Sequence, residues 1–347
     1  MKAIVVREPG GLDVLRMEEV PDPTPGPRDV KIQVARCGVC FHEVVTRNGT
    51  LRRGVLMPLI LGHEIAGTVT AVGRDVREFR PGDRVATAQR SHICGQCRFC
   101  RTGMETVCPE HKFLGDYGMN GGYAEYVLVE EDNVALVPDG VTLDAASITA
   151  CAIGTELNAI REVGRVQPGD RVLVTGAGGG LGVHAIQLAR LAGAFVIAVT
   201  SSPEKEALVR EMGAHEVVLF ERGEDFSDRV KAASGGDGVD VVIDNVGSPV
   251  FNAARRSLDQ GGRLVLVGEL TGDFVPLNPA QLFLKGLSLL SAKSTTRKQL
   301  QDSLQLIARG QVRAIVTETL PLTQVAAAHR RMEQGRISGR LLLDPTR

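Results

Sequence analysis

The 347-residue sequence contains no tryptophan, and aromatic residues make up only 4% of it, so it does not indicate a wide aromatic pocket. It has no run of about 18 apolar residues, the length that a membrane-spanning helix needs. No charge of one sign dominates: the formal net charge is −1, which gives no electrostatic basis for binding nucleic acid or an anionic membrane surface. Hydrophobic residues make up 43% and charged residues 23% of the chain, which is typical of a soluble globular protein.

A disulfide framework is not indicated either. The seven cysteines are an odd number, and the N-terminal segment MKAIVVREPGG has no signal-peptide pattern. We therefore expect a cytoplasmic protein whose cysteines are thiols or metal ligands. A length of 347 residues predicts two domains, at roughly 150 residues each.

The hydrophobic pattern changes along the chain. In the first 150 residues, segments such as VKIQVA (30–35) alternate apolar and polar residues, which predicts half-buried strands. From residue 171, continuous apolar runs alternate with helical patterns, which predicts a doubly wound parallel sheet with helices on both faces. After residue 292 come a predicted helix, RKQLQDSLQLIARG, and a short predicted strand, GRLLLD. The predicted fold class is α/β with a β-rich domain beside the doubly wound sheet.

The strongest motif is CGQCRFCRTGMETVC, a C-x2-C-x2-C-x7-C pattern. Its cysteines are Cys94, Cys97, Cys100 and Cys108. Four thiolates can complete a tetrahedral zinc shell, and two-residue spacers allow one loop to present successive sulfur atoms inward. The alternative is a loop of free thiols, which would be open to oxidation. A shell of four sulfur ligands has no open position, so we predict a structural zinc.

A second set of possible ligands is dispersed. CGVC contributes Cys40, LGHEIAG contributes His63 and Glu64, and TACAIGT contributes Cys151. A catalytic zinc takes about three protein ligands and keeps one exchangeable position. Each fragment alone is weak, because a single cysteine before an apolar run is usually a core residue and a single glutamate is usually a surface charge.

A third motif, VLVTGAGGGLG (172–182), leads from a predicted strand through glycines into a predicted helix. The spacing that fits is G-x-x-G-x-x-G at Gly176, Gly179 and Gly182, because Leu181 breaks the G-x-G-x-x-G pattern. Such a turn presents backbone N–H groups and a helix N-terminus to a pyrophosphate. The context favours dinucleotide binding over a plain loop.

In combination, these motifs resemble the zinc-containing medium-chain dehydrogenases/reductases, the alcohol dehydrogenase superfamily. The resemblance covers essentially the whole chain. Within the superfamily, the chain is similar to the yeast-type alcohol dehydrogenases and to the archaeal acryloyl-CoA reductases. It implies a GroES-like catalytic domain at 1–154 with a structural zinc lobe at about 90–112. It also implies a Rossmann domain at 155–291 and a C-terminal return to the catalytic domain at 292–347.

The resemblance implies roles for individual residues around the catalytic zinc. Cys40, His63 and Cys151 match the family's zinc ligands. Glu64 matches the acid that lies beside the metal and can exchange with water, and Glu43 matches the acid that orients the ligands.

Further implied roles concern the cofactor. Thr155 matches the residue that packs against the nicotinamide, and Arg340 matches an arginine that contacts the pyrophosphate. Cys37 has no ligand role in the family and is expected to be a small buried residue. The other predicted cofactor contacts in the glycine turn and at the ends of later strands are Gly176, Gly179, Gly180, Leu181, Gly182, Val246 and Gly268.

The chain departs from the family pattern beside the zinc. Alcohol dehydrogenases have a Ser or Thr two residues after the first zinc cysteine, where this chain has His42, and the downstream relay position falls near Val45. The chain therefore lacks the hydroxyl with which the family's proton relay from an alcohol normally begins. We predict that His42 is not a ligand and donates the proton instead; the alternative is that it fills space and supports its neighbours.

The choice of cofactor depends on the end of the second strand of the Rossmann pattern. NAD enzymes usually have Asp or Glu there to bind the ribose hydroxyls, whereas this chain has Thr200, followed by Ser201, Ser202 and Lys205. Hydroxyls and a cation can bind a 2′-phosphate, so we predict a preference for NADP(H) over NAD(H). Ser202 could also simply cap the next helix.

The sequence therefore predicts a two-zinc oxidoreductase that forms a homodimer or homotetramer. Zinc would act as a Lewis acid in hydride transfer between the nicotinamide and an alcohol/aldehyde or ketone pair. The first alternative is reduction of an α,β-unsaturated carbonyl or enoyl-CoA. For that reaction, the CoA phosphates could bind to a basic cluster of Lys285, Lys293, Arg297 and Lys298. The other interpretation of this cluster is an ordinary solvated face. The other alternative is an inactive NADPH-binding structural or regulatory protein.

Overall fold

The computed structural model describes residues 1–51, 54–116 and 118–347. The chain forms two compact units, one of Met1–Gly154 with Ser294–Arg347 and the other of Thr155–Lys293. None of the described helices is long and apolar enough to cross a bilayer.

The described strands are, in chain order, β1 (Lys2–Val6), β2 (Arg16–Glu19), β3 (Asp29–Val39), β4 (Leu59–Ile60), β5 (Glu64–Val72), β6 (Arg84–Thr87), β7 (Arg90–His92), β8 (Lys112–Phe113), β9 (Tyr126–Glu130), β10 (Val134–Leu136), β11 (Arg171–Val174), β12 (Phe195–Thr200), β13 (Glu216–Leu219), β14 (Val239–Asp244), β15 (Leu258–Leu266), β16 (Ser288–Ser291), β17 (Val316–Pro321) and β18 (Arg340–Asp344).

The described helices are α1 (Phe41–Arg47), α2 (Leu143–Ser147), α3 (Thr155–Leu157), α4 (Gly182–Leu191), α5 (Glu206–Glu211), α6 (Ser227–Ala233), α7 (Phe251–Arg256), α8 (Ala280–Phe283), α9 (Arg297–Ala308) and α10 (Val325–Glu333). The segments Thr149–Gly154 and Asn158–Val163 on either side of α3 are π-helical.

The first unit is built around a mixed, largely antiparallel sheet in the order β10-β6-β5-β3-β18-β17, with β9 also paired to β3. Strand β3 shows the predicted alternation: Val30, Ile32 and Val34 are fully buried, and the residues between them are not. Strand β18 returns from the C-terminal end of the chain to pair with the end of β3, so that Leu341 lies opposite Val39. This return places the last strand directly beside Cys40.

The second unit contains a six-stranded sheet in the order β13-β12-β11-β14-β15-β16, and every pairing in it is parallel. The central strands β11, β12 and β14 are buried on both faces, as their continuous apolar runs predict. Helix α4 ends at Leu191, and Gly193 follows at a φ of +86°, a left-handed conformation that commonly ends a helix. This strand order is that of the doubly wound dinucleotide-binding fold, which confirms the predicted fold class.

Candidate active site

The turn from β3 into α1 sets the positions of Cys40 and Glu43. Cys40 is the N-cap residue of α1 in an extended conformation (φ −108°, ψ 157°), and its side chain accepts a hydrogen bond from the helix backbone at Glu43. In return, Glu43 Oε2 accepts a hydrogen bond from Cys40 N at 2.8 Å. This reciprocal pair is a capping box in which a thiol takes the usual place of a hydroxyl. It fixes the Cys40 sulfur beside a buried carboxylate.

Three further residues complete a buried cluster with Cys40. His63 immediately precedes β5, Glu64 begins that strand, and Cys151 lies in the π-helical segment. The potential ligand atoms of these four residues all lie within 4.8 Å of one another. Cys40 Sγ and Cys151 Sγ are 3.9 Å apart, close to the roughly 3.8 Å expected for two sulfurs bound at about 2.3 Å in a tetrahedron around zinc. The cluster therefore fits a zinc ion with a two-sulfur, one-nitrogen donor set.

Two buried carboxylates hold the other side of this cluster. Glu43 Oε1 contacts His63 Nδ1, and both residues are only 1% exposed. This contact leaves the Nε2 nitrogen of His63 for a metal, the arrangement in which a carboxylate fixes the ring of a metal-binding histidine. Glu64 is fully buried, and burial raises its pKa to about 7 although Arg340 opposes the shift.

Arg340 lies inside the cluster. Its Nε is 3.0 Å from Glu64 Oε1, and its Nη2 is 3.6 Å from both Cys40 Sγ and Cys151 Sγ. A hydrogen bond from the Cys151 thiol, together with the charge of Arg340, lowers the pKa of Cys40 well below its usual range. The guanidinium thus compensates the negative charge that the Cys40 sulfur and the Glu64 carboxylate place here. The family resemblance implies a pyrophosphate contact for Arg340, and nothing in the sequence indicates these contacts with Glu64, Cys40 and Cys151.

His42 does not belong to the cluster of potential ligand atoms. Its ring lies 5.3 Å from the His63 ring, edge to face, and 5.0 Å from the ring of Phe113. His42 Nε2 is 3.5 Å from Asp116 Oδ2, and Asp116 is only 2% exposed. Asp116 could not be predicted from the sequence, because nothing in the spacing between LGDYG and CGVCFHE indicates that the two segments meet.

The four-cysteine lobe forms a second cluster of potential metal ligands. The Sγ atoms of Cys94, Cys97, Cys100 and Cys108 lie within 4.8 Å of one another, and their closest separations are 3.6 to 4.0 Å. All four are free thiols, since a disulfide would require a sulfur–sulfur distance near 2.05 Å. Backbone N–H groups of Cys94, Cys97 and Cys100 also point at these sulfurs, at 3.3 to 3.5 Å. The separations fit tetrahedral zinc, and no open position remains.

In the second unit, the glycine turn between β11 and α4 is shaped to let a ligand approach the backbone. Gly176 has a φ of +58°, and Gly179 N donates to its carbonyl at 2.9 Å. A Cβ on Gly182 would lie 2.4 Å from the Gly176 oxygen, so the helix packs closely on the turn. Val246 contacts the same turn, because its Cγ2 lies 3.0 Å from the position of a Cβ on Gly176. Gly268 packs on the backbone of Asn245 in the neighbouring loop.

The predicted ribose-binding residues follow the carboxyl end of β12. Thr200 Oγ1 accepts a hydrogen bond from Ser202 N at 3.2 Å, and Ser201 and Ser202 are partly exposed. In the part of the chain that the structure describes, the Ser202 side chain makes no capping hydrogen bond to the turn Pro203–Lys205. Lys205 is 9% exposed and packs on Gly178, so its side chain lies against the glycine turn. Thr155, 6% exposed, begins α3.

Comparisons with known proteins agree with this architecture. Residues 26–139 match the alcohol dehydrogenase GroES-like domain, and residues 180–309 match the zinc-binding dehydrogenase family. The chain is 34% identical to acryloyl-coenzyme A reductase of Sulfurisphaera tokodaii, over 99% of this chain and 100% of that protein. It is 36% identical to an alcohol dehydrogenase of Geobacillus stearothermophilus, over 99% and 98%. The crystal structure of AibC superposes with a TM-score of 0.92 at 43% identity, covering 99% of this chain and 95% of that one.

One class of protein combines these features: a GroES-like unit, a Rossmann-type unit and two cysteine-containing clusters that fit metal ions. The chain belongs to the zinc-type medium-chain dehydrogenases/reductases, the alcohol dehydrogenase superfamily of oxidoreductases.

Proposed function

We propose that the protein is a zinc-dependent, NADP(H)-preferring oxidoreductase that interconverts an alcohol and an aldehyde or ketone. The observation that carries this proposal is the buried donor set of Cys40, His63 and Cys151, with its sulfur atoms 3.9 Å apart. When bound, zinc supplies a Lewis acid for the substrate oxygen, and the nicotinamide supplies or accepts the hydride. Two thiols and an imidazole leave one coordination position for that oxygen.

The buried acids and Arg340 hold this donor set in place. Glu43 fixes the orientation of the His63 ring and restrains the Cys40 turn through the backbone N–H. Arg340 holds Glu64 and both sulfur atoms, which keeps that carboxylate beside the metal position. These contacts favour a preorganised site, because none of the donors has to rearrange to reach a common centre.

His42 is the group that we assign to proton transfer. It lies next to His63 but outside the ligand cluster, and its side chain is 29% exposed, so a substrate can reach it. Histidine is the side chain that most often serves as a general acid or base, the role that carbonyl reduction requires. Asp116 faces its Nε2 atom and restricts the orientation of the ring.

The test is the His42→Ala variant. We expect zinc content and NADPH affinity to remain near those of the starting protein and turnover to fall by roughly a hundredfold, the usual contribution of one general acid. Steady-state kinetics, metal analysis and cofactor-fluorescence titration measure the three quantities. Full turnover in the variant removes His42 from proton transfer, and loss of zinc contradicts the ligand assignment.

A second candidate function is the reduction of an α,β-unsaturated carbonyl or enoyl-CoA. Two observations support it: His42 replaces the relay hydroxyl, and a 34% identical relative is an acryloyl-coenzyme A reductase. One observation argues against a role of the basic cluster in binding CoA. Arg297 pairs with Glu78 and Lys298 pairs with Asp302, so neither cation depends on a bound phosphate for its counter-charge. Parallel NADPH-oxidation assays with simple aldehydes and with acryloyl- or crotonyl-CoA separate the two functions. Activity with neither, in protein that lacks zinc at the Cys40 cluster, would instead support the inactive NADPH-binding alternative.

The proposed preference for NADP(H) depends on the end of β12. Thr200 occupies the position where an acid would repel a 2′-phosphate, and two serine hydroxyls follow it. Lys205, buried against Gly178, adds a cation close to the turn that would hold the pyrophosphate. Phosphate oxygens are strong acceptors for these donors.

We further propose that the protein assembles as a homodimer or homotetramer. The second unit exposes large apolar side chains, with Phe274 fully exposed, Phe283 82% exposed and Leu284 74% exposed. Phe283 and Leu284 are neighbours in the chain, and contiguous exposed apolar side chains often mark protein–protein contacts. Light scattering of the wild type and of a Phe283→Ser variant tests this, and a monomeric wild type would exclude it.

A further inference from the structure

A buried arginine links the four-cysteine lobe to the rest of the first unit. Arg90 begins β7, four residues before Cys94, and is only 1% exposed. Its Nη1 donates to the carbonyl oxygen of Thr295 at 2.6 Å, and its Nη2 lies 3.5 Å from Glu105 Oε1. Burial lowers the pKa of Arg90 to about 10. A guanidinium this deeply buried needs its carboxylate partner.

That partner, Glu105, belongs to the lobe itself. It lies in the short turn between Cys100 and Cys108, so its position follows from how these two cysteines close around a common centre. Glu105 Oε1 also accepts a hydrogen bond at 2.7 Å from the backbone N of Arg297, the first residue of α9. One carboxylate oxygen therefore ties the lobe both to Arg90 and to the start of α9.

The same connection reaches the segment that carries Cys151. Thr295 is fully buried, and a Cβ on Gly154 would lie 2.5 Å from Thr295 Oγ1. Gly154 ends the π-helical segment three residues after Cys151. Gln89 holds the other side of the threonine, because its Oε1 accepts the Thr295 N–H at 3.0 Å. A shift of Thr295 would therefore be transmitted to the Cys151 segment through direct packing.

We propose that Glu105 and Arg90 are positioning residues that couple metal binding in the four-cysteine lobe to metal affinity at the Cys40–His63–Cys151 cluster. A metal in the lobe fixes Cys100 and Cys108, and therefore Glu105. Glu105 holds Arg90, and Arg90 holds Thr295 against Gly154. This packing keeps Cys151 in position. Loss of the lobe metal leaves Arg90 without a fixed counter-charge and loosens that contact. This inference depends on the proposed function, because it requires both clusters to bind zinc.

The experiment is an equilibrium zinc titration of the holoenzyme against a chromophoric chelator. Wild type should show two affinities, and Cys151→Ser, which retains only the lobe site, identifies which is which. Glu105→Gln should weaken the Cys151-dependent site at least fivefold, the lower end of measured coupling between sites. Glu78→Gln is the matched control, because it removes the exposed carboxylate that holds the Arg297 guanidinium and leaves Arg90 and Glu105 intact.

Because coupling is reciprocal, Cys151→Ser should weaken the lobe site in the wild-type background and have no such effect in the Glu105→Gln background. Unchanged affinity at the Cys151-dependent site in Glu105→Gln overturns the inference, even if that variant melts at a lower temperature. If Glu105→Gln does not fold, Glu105→Asp keeps the charge but shortens its reach. It should show the same direction of change, and wild-type affinity there also overturns the inference. A wild type with no zinc at the Cys151-dependent site contradicts the proposed function instead.

Discussion

Replacing Glu43 with glutamine removes one charge from the candidate zinc site and leaves the side-chain volume almost unchanged. The amide oxygen can still accept the hydrogen bond from Cys40 N, now 2.8 Å from Glu43 Oε2. Its NH2 group would then face His63 Nδ1, which contacts Glu43 Oε1 in the native protein. Two donors would oppose each other in a place that is 1% exposed, where water cannot compensate.

The expected cost is a 10- to 100-fold loss of zinc affinity at the Cys40 cluster, the usual effect of removing a carboxylate behind a metal-binding histidine. That range corresponds to about 1.4 to 2.8 kcal/mol. A chelator-competition titration measures it, and metal analysis before the titration gives the stoichiometry. Glu333→Gln is the control, because Glu333 pairs with Arg47 at the opposite end of α1. Wild-type zinc affinity in Glu43→Gln would show that the carboxylate does not support the ligand, and our assignment would be wrong.

Three further outcomes are expected. Thr200→Asp should favour NADH over NADPH by at least tenfold relative to the starting protein, since a carboxylate repels the 2′-phosphate; equal or tighter NADH binding by the starting protein would contradict the proposed preference. Burial and the nearby Arg47 lower the pKa of His329 from 6.5 to about 3. The unfolded chain therefore takes up a proton over that pH range while the folded protein does not. Acidification from pH 6.5 to 3 should lower the free energy of unfolding by up to about 5 kcal/mol through this group, and His329→Gln should reduce that loss. Cys94→Ser should mainly lower the melting temperature, because a structural zinc stabilises the fold. Cys151→Ser should remove one zinc and abolish activity with the fold retained. The reverse pattern in calorimetry and metal analysis would exchange the two site assignments.

The local elements could be predicted because each depends on a short stretch of sequence. The alternation in VKIQVA predicts β3, and the apolar run VLVT followed by glycines predicts β11 and its turn into α4. Gly193 marks the end of α4 through its positive φ, a conformation that other residues rarely adopt. The four-cysteine lobe could also be predicted, because its ligand spacing lies within fifteen residues.

The contacts between distant segments were decided by tertiary structure alone. Asp116 meets His42 across 74 positions of the sequence, and Arg340 meets Cys40 across 300. No sequence spacing predicts either contact. Arg340 reaches Cys40 because β18 returns to pair with β3, and Asp116 reaches His42 because of the path of the chain after the four-cysteine lobe. The sequence by itself thus determined which residue types could bind a metal, the glycine turn and the two-unit α/β architecture. Tertiary structure decided which charges face the thiols, because a buried charge is placed by packing around it and not by its neighbours in the chain.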